Sequence, residues 1–260
     1  MIHLHRLQRR KPARAARGFT FVEIMVAIAL GLFLIGGLLT LVQAMRRTAT
    51  NQSGLSQLQD NERMAMQLIT DVVQSTGYFT SPLTNSATSS FLIGTYGPAS
   101  FTYSGQALVG NYTAGVPDII TNRYQTAGTL AGDNAINCTG NASSAPASFV
   151  NQITVNTANN YLTCTLWLNG GAQPPVALVP GITGMLVQYG VETGNGVATN
   201  SVDTYLTADL VTAGNFWPQV RSVQVTLTFV NPMFGQPGQT SPTVTFTRNI
   251  AVMYKTGVST

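Results

Sequence analysis

Charged side chains are scarce in this chain: they make up 8% of 260 residues, where a soluble domain carries roughly a quarter. The 13 Lys+Arg and 9 Asp+Glu leave a formal net charge of +4, and their placement decides what that charge means. Arg6, Arg9, Arg10, Lys11, Arg14 and Arg17 stand in the first 18 positions with no acid among them, so the remainder holds 7 basic and 9 acidic groups. A body without a Lys/Arg stripe cannot neutralise phosphates, which excludes a basic nucleic-acid binder. Histidine is scarcer still. Both copies, His3 and His5, lie in the same basic head, and Lys255 is the single lysine beyond it. If the head is removed, Ser-His-Asp and Cys-His catalysis and His-ligated zinc lose their central residue. No nucleophile and base pair is then left to form an active site, so the expectation is a non-enzyme with no cofactor and no metal.

What the sequence does have is one long apolar run. Residues 19–45 contain a single charge, Glu23, and as a helix they would extend about 40 Å, enough for a hydrocarbon core of about 30 Å. A secretory signal peptide has an apolar stretch of only about 7 to 15 residues, although Val42-Gln43-Ala44 has the small-residue form of a cleavage site. Neither head nor run contains Cys, which excludes a lipoprotein anchor. Six basic residues precede the run and only Arg46 and Arg47 directly follow it, an asymmetry that keeps the head cytoplasmic and places the rest outside. That compartment permits disulfides. The two cysteines, Cys138 and Cys164, would close a loop worth on the order of 3 kcal/mol if paired; the alternative is two buried thiols.

Glu23 needs a reason to be there, since a carboxylate inside lipid costs up to about 3 kcal/mol. It falls one helical turn after Phe19, so on a helix the two share a face. A cut before Phe19 would create an α-amino group able to pair with that carboxylate or with one on a neighbouring chain. The alternative is a first-turn acid at the helix N-terminus, at the cytoplasmic interface.

Arg17-Gly18-Phe19-Thr20-Phe21-Val22-Glu23, followed by Ile24-Met25-Val26-Ala27-Ile28-Ala29-Leu30, resembles the class III leader and N-terminal helix of bacterial type IV pilins and type II secretion pseudopilins. The resemblance implies cleavage after Gly18 by a prepilin peptidase and N-methylation of Phe19. It also implies that Glu23 neutralises the Phe19 amine of an adjacent subunit during filament assembly.

Beyond Arg47, Leu55, Leu58, Ala65, Leu68, Ile69 and Val72 recur at helical spacing among polar residues such as Gln57, Asp60, Arg63 and Asp71, giving an apolar stripe with a wet opposite face. Gly77 fits a C-cap, and no proline intervenes. Many major pilins have a helix-breaking proline in this region, near the place where Thr40 stands here. Past Gly77, Thr, Asn, Ser and Gly take over. Alternating runs at 148–155, 161–168, 184–191, 221–230 and 243–254 read as strands, with turns at Asn159-Asn160 and Asn169-Gly170-Gly171. An antiparallel sheet with one face on the later part of the helix would bury both apolar stripes. Residues 81–147 read as long loops with short strands at 107–109 and 118–124. The expected class is therefore α+β: a leader (1–18), a helix (19–76, membrane span to 45, stalk beyond) packed on an antiparallel β-sheet domain (77–260).

Gln59-Asp60-Asn61-Glu62-Arg63-Met64-Ala65-Met66-Gln67-Leu68, ending at Ser75-Thr76-Gly77-Tyr78, resembles the stalk of PilW-type minor pilins. So do Gly181-Ile182 through Val187-Gln188-Tyr189-Gly190-Val191-Glu192 and Trp217-Pro218-Gln219-Val220-Arg221-Ser222-Val223-Gln224-Val225-Thr226-Leu227. This branch is related to the J-type pseudopilins, and the likeness does not reach residues 81–178. It implies a structural subunit held in the bacterial inner membrane, with its outer domain periplasmic, that then enters a type IV pilus. Implied partners are other minor pilins and the major pilin, the prepilin peptidase, the inner-membrane assembly platform and a tip adhesin. Implied roles are priming of assembly and a place at or near the tip, in support of adhesion, twitching motility or DNA uptake. Retention of Glu23 implies docking beneath or beside another subunit, because tip-most pseudopilins often lack this acid. A J-type pseudopilin and a non-polymerising, membrane-anchored β-rich binding module are the alternatives.

The remaining candidates are structural. The loop 192–203 offers two carboxylates, Glu192 and Asp203, without the dense Asp-x-Asp spacing of a calcium loop. Trp167 and Trp217 fit core or sheet-edge packing better than a partner pocket. No Gly-rich stretch has phosphate-binding form. The Asn-x-Ser/Thr patterns at Asn51, Asn111, Asn137 and Asn141 are coincidental.

Overall fold

The computed structural model describes residues 18–194 and 201–253, so the basic head to Arg17, the middle of the 192–203 loop and the end of the chain from Tyr254 lie outside the described residues. The chain divides into two compact units between Gln52 and Ser53. One helix, α1 (Phe21–Ser75), has residues in both, and Thr40 lies inside it.

In the first unit α1 exposes apolar side chains on every face, Phe21, Ile28, Phe33 and Leu39 among them, and its most apolar window has a mean hydropathy of 2.6. Such a helix is long and apolar enough to cross a membrane. Thr40, Thr48 and Thr50 turn their hydroxyls onto Gly37, Ala44 and Arg46 carbonyls, satisfying themselves within the helix.

In the second unit α1 is amphipathic. Leu58, Ala65, Met66, Ile69, Val72 and Val73 are buried, while Asp60, Gln67 and Asp71 face water. The expected stripe included Leu55 and Leu68; Leu55 is exposed and Leu68 only partly buried, with Met66 and Val73 in their place. The 3.6-residue period accounts for the exchange, since 66 and 73 adjoin 65, 69 and 72 on one face. Gly77 ends the helix in the left-handed region (φ +76°), and its N–H donates to the Arg123 carbonyl at 3.0 Å.

Beyond α1 come a one-turn α2 (Ala87–Ser90), capped by the Ser86 side chain, and the hairpin β1 (Gly94–Tyr96) with β2 (Ala99–Phe101). Then follow β3 (Leu108–Asn111), β4 (Ile119–Thr126), β5 (Ala147–Asn156), β6 (Tyr161–Leu168), β7 (Gly171–Ala172), β8 (Val176–Pro180), β9 (Ile182–Val191) and β10 (Thr204–Thr207). α3 (Ala208–Ala213), β11 (Val220–Val230) and β12 (Thr243–Ala251) complete the order. Among the described residues, two larger antiparallel sheets stand beside the β1–β2 hairpin where one sheet was expected. One has the order β3-β4-β5-β6-β7 with β8 also on β6; the other has the order β10-β9-β11-β12. The long strands fall where alternation placed them, and Asn160 and Asn169 take positive φ in the turns. β1, β2, β8, β10 and α3 carried no legible alternation or helical period.

The α1 stripe, both sheets and α3 share one core, which includes Ile120, Ile153, Leu162, Val187, Val223 and Leu227. Tyr189 and Trp217 meet edge to face within it, ring centroids 4.9 Å apart. The Tyr189 hydroxyl occupies the space a Cβ at position 110 would need, so β3 requires Gly110. Arg123 is buried with its guanidinium 4.1–5.3 Å from the ring centroids of Phe91, Tyr96 and Phe101, and its Nε donates to the Gln106 carbonyl at 2.8 Å. Cation–π contacts of this kind, desolvated, are worth about 2 kcal/mol; here they tie α2 and the β1–β2 hairpin to β4.

Asp118 joins the two sheets. Its N–H donates to the Met185 carbonyl at 2.9 Å, and its carboxylate accepts the Val187 N–H at 2.7 Å. Burial pushes its pKa up, the Val187 bond works against the rise, and the charge of Asp209 adds to it. A carboxyl whose folded pKa is raised contributes stability that is complete below its unfolded value, about 4, and is lost as pH climbs through the raised value. Asp118→Asn keeps an acceptor for Val187 and removes the charge. The variant is expected to be at least as stable as the parent at pH 7, with its advantage shrinking towards pH 4; denaturation of the full chain in detergent at both pH values checks this.

Candidate functional site

Two regions concentrate the residues that the sequence singled out. The first is the start of α1. Gly18 and Phe19 are exposed and precede the helix, which begins at Phe21. The Thr20 carbonyl accepts from Ile24 N–H at 3.2 Å, and its hydroxyl accepts from Glu23 N–H at 3.3 Å. Thr20 is therefore the N-cap with Glu23 three residues inside it, a Thr-x-x-Glu pattern legible in the sequence but not read from it. Because Phe19 lies before the first helical residue, the helical same-face argument linking it to Glu23 does not apply in this structure. Glu23 is the acid of the first turn, and the next charges along the chain are Arg46 and Arg47.

The second region is the loop between β4 and β5. The structure bonds Cys138 in that loop to Cys164 in β6, with Cα atoms 6.2 Å apart and both residues buried. A chain of buried amides supports it. Cys138 N–H donates to Asn151 Oδ1 at 3.0 Å, Asn151 Nδ2 donates to Asn122 Oδ1 at 3.1 Å, and Asn122 Nδ2 donates to the Val72 carbonyl of α1. Satisfied in series, these groups avoid the cost of about 1–3 kcal/mol that each would incur if left unpaired. The Tyr124 hydroxyl donates to the Ile136 carbonyl, and burial pushes its pKa up to about 12. Asp133 closes the loop by accepting Ala127 N–H at 2.8 Å and Ala135 N–H at 3.0 Å. Burial alone would raise its pKa; these bonds, with those from Thr126 and Tyr78, outweigh it and hold the pKa low.

Loop and helix together enclose a groove of about 420 Å³ lined by Leu68, Val72, Tyr78, Tyr124, Ile136 and Cys138. A second, of about 480 Å³, lies against Asn137, Phe149, Leu166, Leu168 and Gln173. The first groove also carries Asp71 and Ser75, but the Ser75 hydroxyl donates to the Val72 carbonyl at 3.0 Å and Asp71 accepts from Gln67 Nε2 at 2.8 Å, so the two are engaged within the helix. Among the described residues no three His, Cys, Asp or Glu gather in metal-binding range. The two carboxylates of the 192–203 loop have protein partners: Glu192 pairs with Arg221 at 2.8 Å, and Asp203 accepts Thr193 N–H at 2.7 Å. Trp217 is buried, with its Nε1 donating to Thr212 Oγ1 at 3.0 Å, and half-buried Trp167 lies against the Gly97 turn.

Residues 13–39 match the prokaryotic N-terminal methylation motif, and residues 147–252 match the type IV pilus-assembly protein W family. The chain thus carries a PilW domain and an N-terminal methylation motif. The PilW match runs from the start of β5 to just past β12, so it takes in more than the blocks at 181–192 and 217–227 and leaves the stalk residues 59–78 outside. A type IV-like pilin from Thermus thermophilus is 12% identical over 75% of this chain and 94% of its own, with a TM-score of 0.40. No curated protein matches the chain. A class III leader and an apolar helix fit membrane anchoring.

The PilW domain starts at the strand after the disulfide loop, so that loop and the Arg123 cage belong to the stretch preceding it. Replacing both cysteines, Cys138→Ser with Cys164→Ser, is expected to destabilise the second unit by about 3 kcal/mol. The shift in urea midpoint between the full-length parent and variant in detergent measures it.

Proposed function

We propose that this chain is a minor pilin that helps to prime a type IV pilus and resides at or near its tip. The observation that carries the proposal is the union in one chain of a methylation motif at 13–39, an apolar run at 19–45 whose one charge is an acid, and a PilW domain at 147–252. Before assembly the helix holds the chain in the inner membrane, with the basic head cytoplasmic and the PilW domain periplasmic. A prepilin peptidase removes residues 1–18, and Phe19 is N-methylated. Exposure of Gly18 and Phe19 ahead of the first helical residue suits that cleavage.

Glu23 supplies the driving term for incorporation. Its carboxylate costs up to about 3 kcal/mol in lipid, and the Phe19 amine of an adjacent subunit offsets that cost only when the two helices bundle. The exposed apolar faces from Phe21 to Met45 then pack on other helices in place of lipid. Minor and major pilins, the assembly platform and a tip adhesin are the partners in this scheme, which serves adhesion, motility or DNA uptake.

Gly18→Trp is expected to block maturation, seen as a retained leader on a gel; normal processing would contradict cleavage after Gly18. Glu23→Ala is expected to leave processing intact and to lower the amount of the protein in sheared filaments about tenfold or more, the ratio that the loss of 1.4 kcal/mol or more implies. Parental levels in those filaments would contradict the pairing. Deletion of the chain with intact piliation but lost protein export would assign it to a secretion pseudopilus instead.

A further inference from the structure

β12 is the outermost strand of the four-stranded sheet, and all nine of its residues pair with β11. Among the described residues no strand pairs with its other side, so its outward N–H and C=O groups form an open template for a further strand. Its side chains alternate. Val244, Phe246, Arg248 and Ile250 take the core side, where Ile250 is buried, Phe246 meets Phe229 with ring centroids 5.7 Å apart, and Arg248 stands opposite buried Val225. Thr245, Thr247 and Asn249 take the other side and are exposed; Thr247 and Asn249 are hydrogen-bonded across to Thr226 and Gln224.

Arg248 is the single charge on this strand. Among the described residues no carboxylate lies within salt-bridge distance of it. A cation in the inward row of an edge is a recognised guard against indiscriminate pairing. An uncharged strand laid along β12 would desolvate the guanidinium without a counter-charge. A second copy of β12 would bring another arginine and no acid. A strand with a carboxylate in its inward row would instead form a charge-assisted pair there.

We propose that the open edge of β12 is an interaction surface for an extended segment of a different protein subunit, added as a fifth strand, with an Asp or Glu in the row that faces Arg248. Main-chain hydrogen bonds supply the affinity, and the Arg248–carboxylate pair sets register and selectivity. The inference rests on the reading of this chain as an assembling subunit and names one surface by which it assembles.

The test uses the full chain in detergent micelles and a fluorescent nine-residue peptide of alternating Val and Thr with one central Glu, followed by anisotropy. Saturable binding is expected, weaker by about tenfold or more when the central residue is Lys. Arg248→Glu is expected to invert that preference, and Arg248→Lys to retain it. N-methylation of alternate peptide amides is expected to abolish binding. Circular dichroism establishes that each variant keeps its fold. No saturable binding of the Glu peptide, or equal binding of the Glu and Lys peptides, would overturn the proposal. Sheared-filament content is scored separately: a chain that enters filaments but takes no acidic peptide sinks the edge proposal alone. A chain that takes the peptide but never enters filaments sinks the pilin reading alone.

Discussion

One helix has to satisfy two solvents, and the rest of the molecule follows from how it does so. From Phe21 to Met45, α1 is apolar all round, which suits lipid or a bundle of like helices and nothing in water. From Leu58 to Val73 it carries one buried stripe and a wet face, and Ala65, Met66, Ile69 and Val73 in that stripe have no solvent exposure. Each large side chain so buried contributes roughly 1.5–3 kcal/mol, and the two sheets are arranged so that their core residues join it. The end of the helix is equally committed. Val72 accepts from Asn122, Asn122 from Asn151, and Asn151 from the backbone of disulfide-bonded Cys138, so a loop far along the chain is positioned from the helix.

The legible parts of the fold were those written in local periods. A run of 27 residues with one charge, a 3.6-residue stripe and a following glycine give α1 its limits to within a residue or two; period-two alternation locates β5, β6, β9, β11 and β12. The illegible parts depend on partners distant in sequence. That the strands sort into two sheets is decided by long-range contacts such as Asp118 on β9 and Gly110 beneath Tyr189. The order in residues 87–126 comes from Arg123 among three aromatic rings supplied by two other segments. Neither leaves a mark in any window of ten residues. At the start of the helix the reverse holds: Thr20 and Glu23 form a capping pattern within four residues.

Charge follows the same division. The basic groups of the head are confined to the first 17 residues, and what remains is sparsely charged and slightly acidic. Several of its charges are engaged internally: Glu192 with Arg221, Asp118 with the β9 backbone and Arg123 with its rings. Two positions stand apart because their placement asks for a partner from elsewhere. Glu23 is set in an apolar helix, and Arg248 is set in an open strand edge. Both fit the proposal that this chain assembles with other subunits.

The mass of the N-terminal peptide of the protein recovered from sheared filaments bears most directly on this view. A terminus at Phe19 carrying one methyl group on its α-amine, with residues 1–18 gone, is the expected result. A chain that begins at Met1 in cells with active prepilin peptidase, or one cut after Ala44, would contradict it.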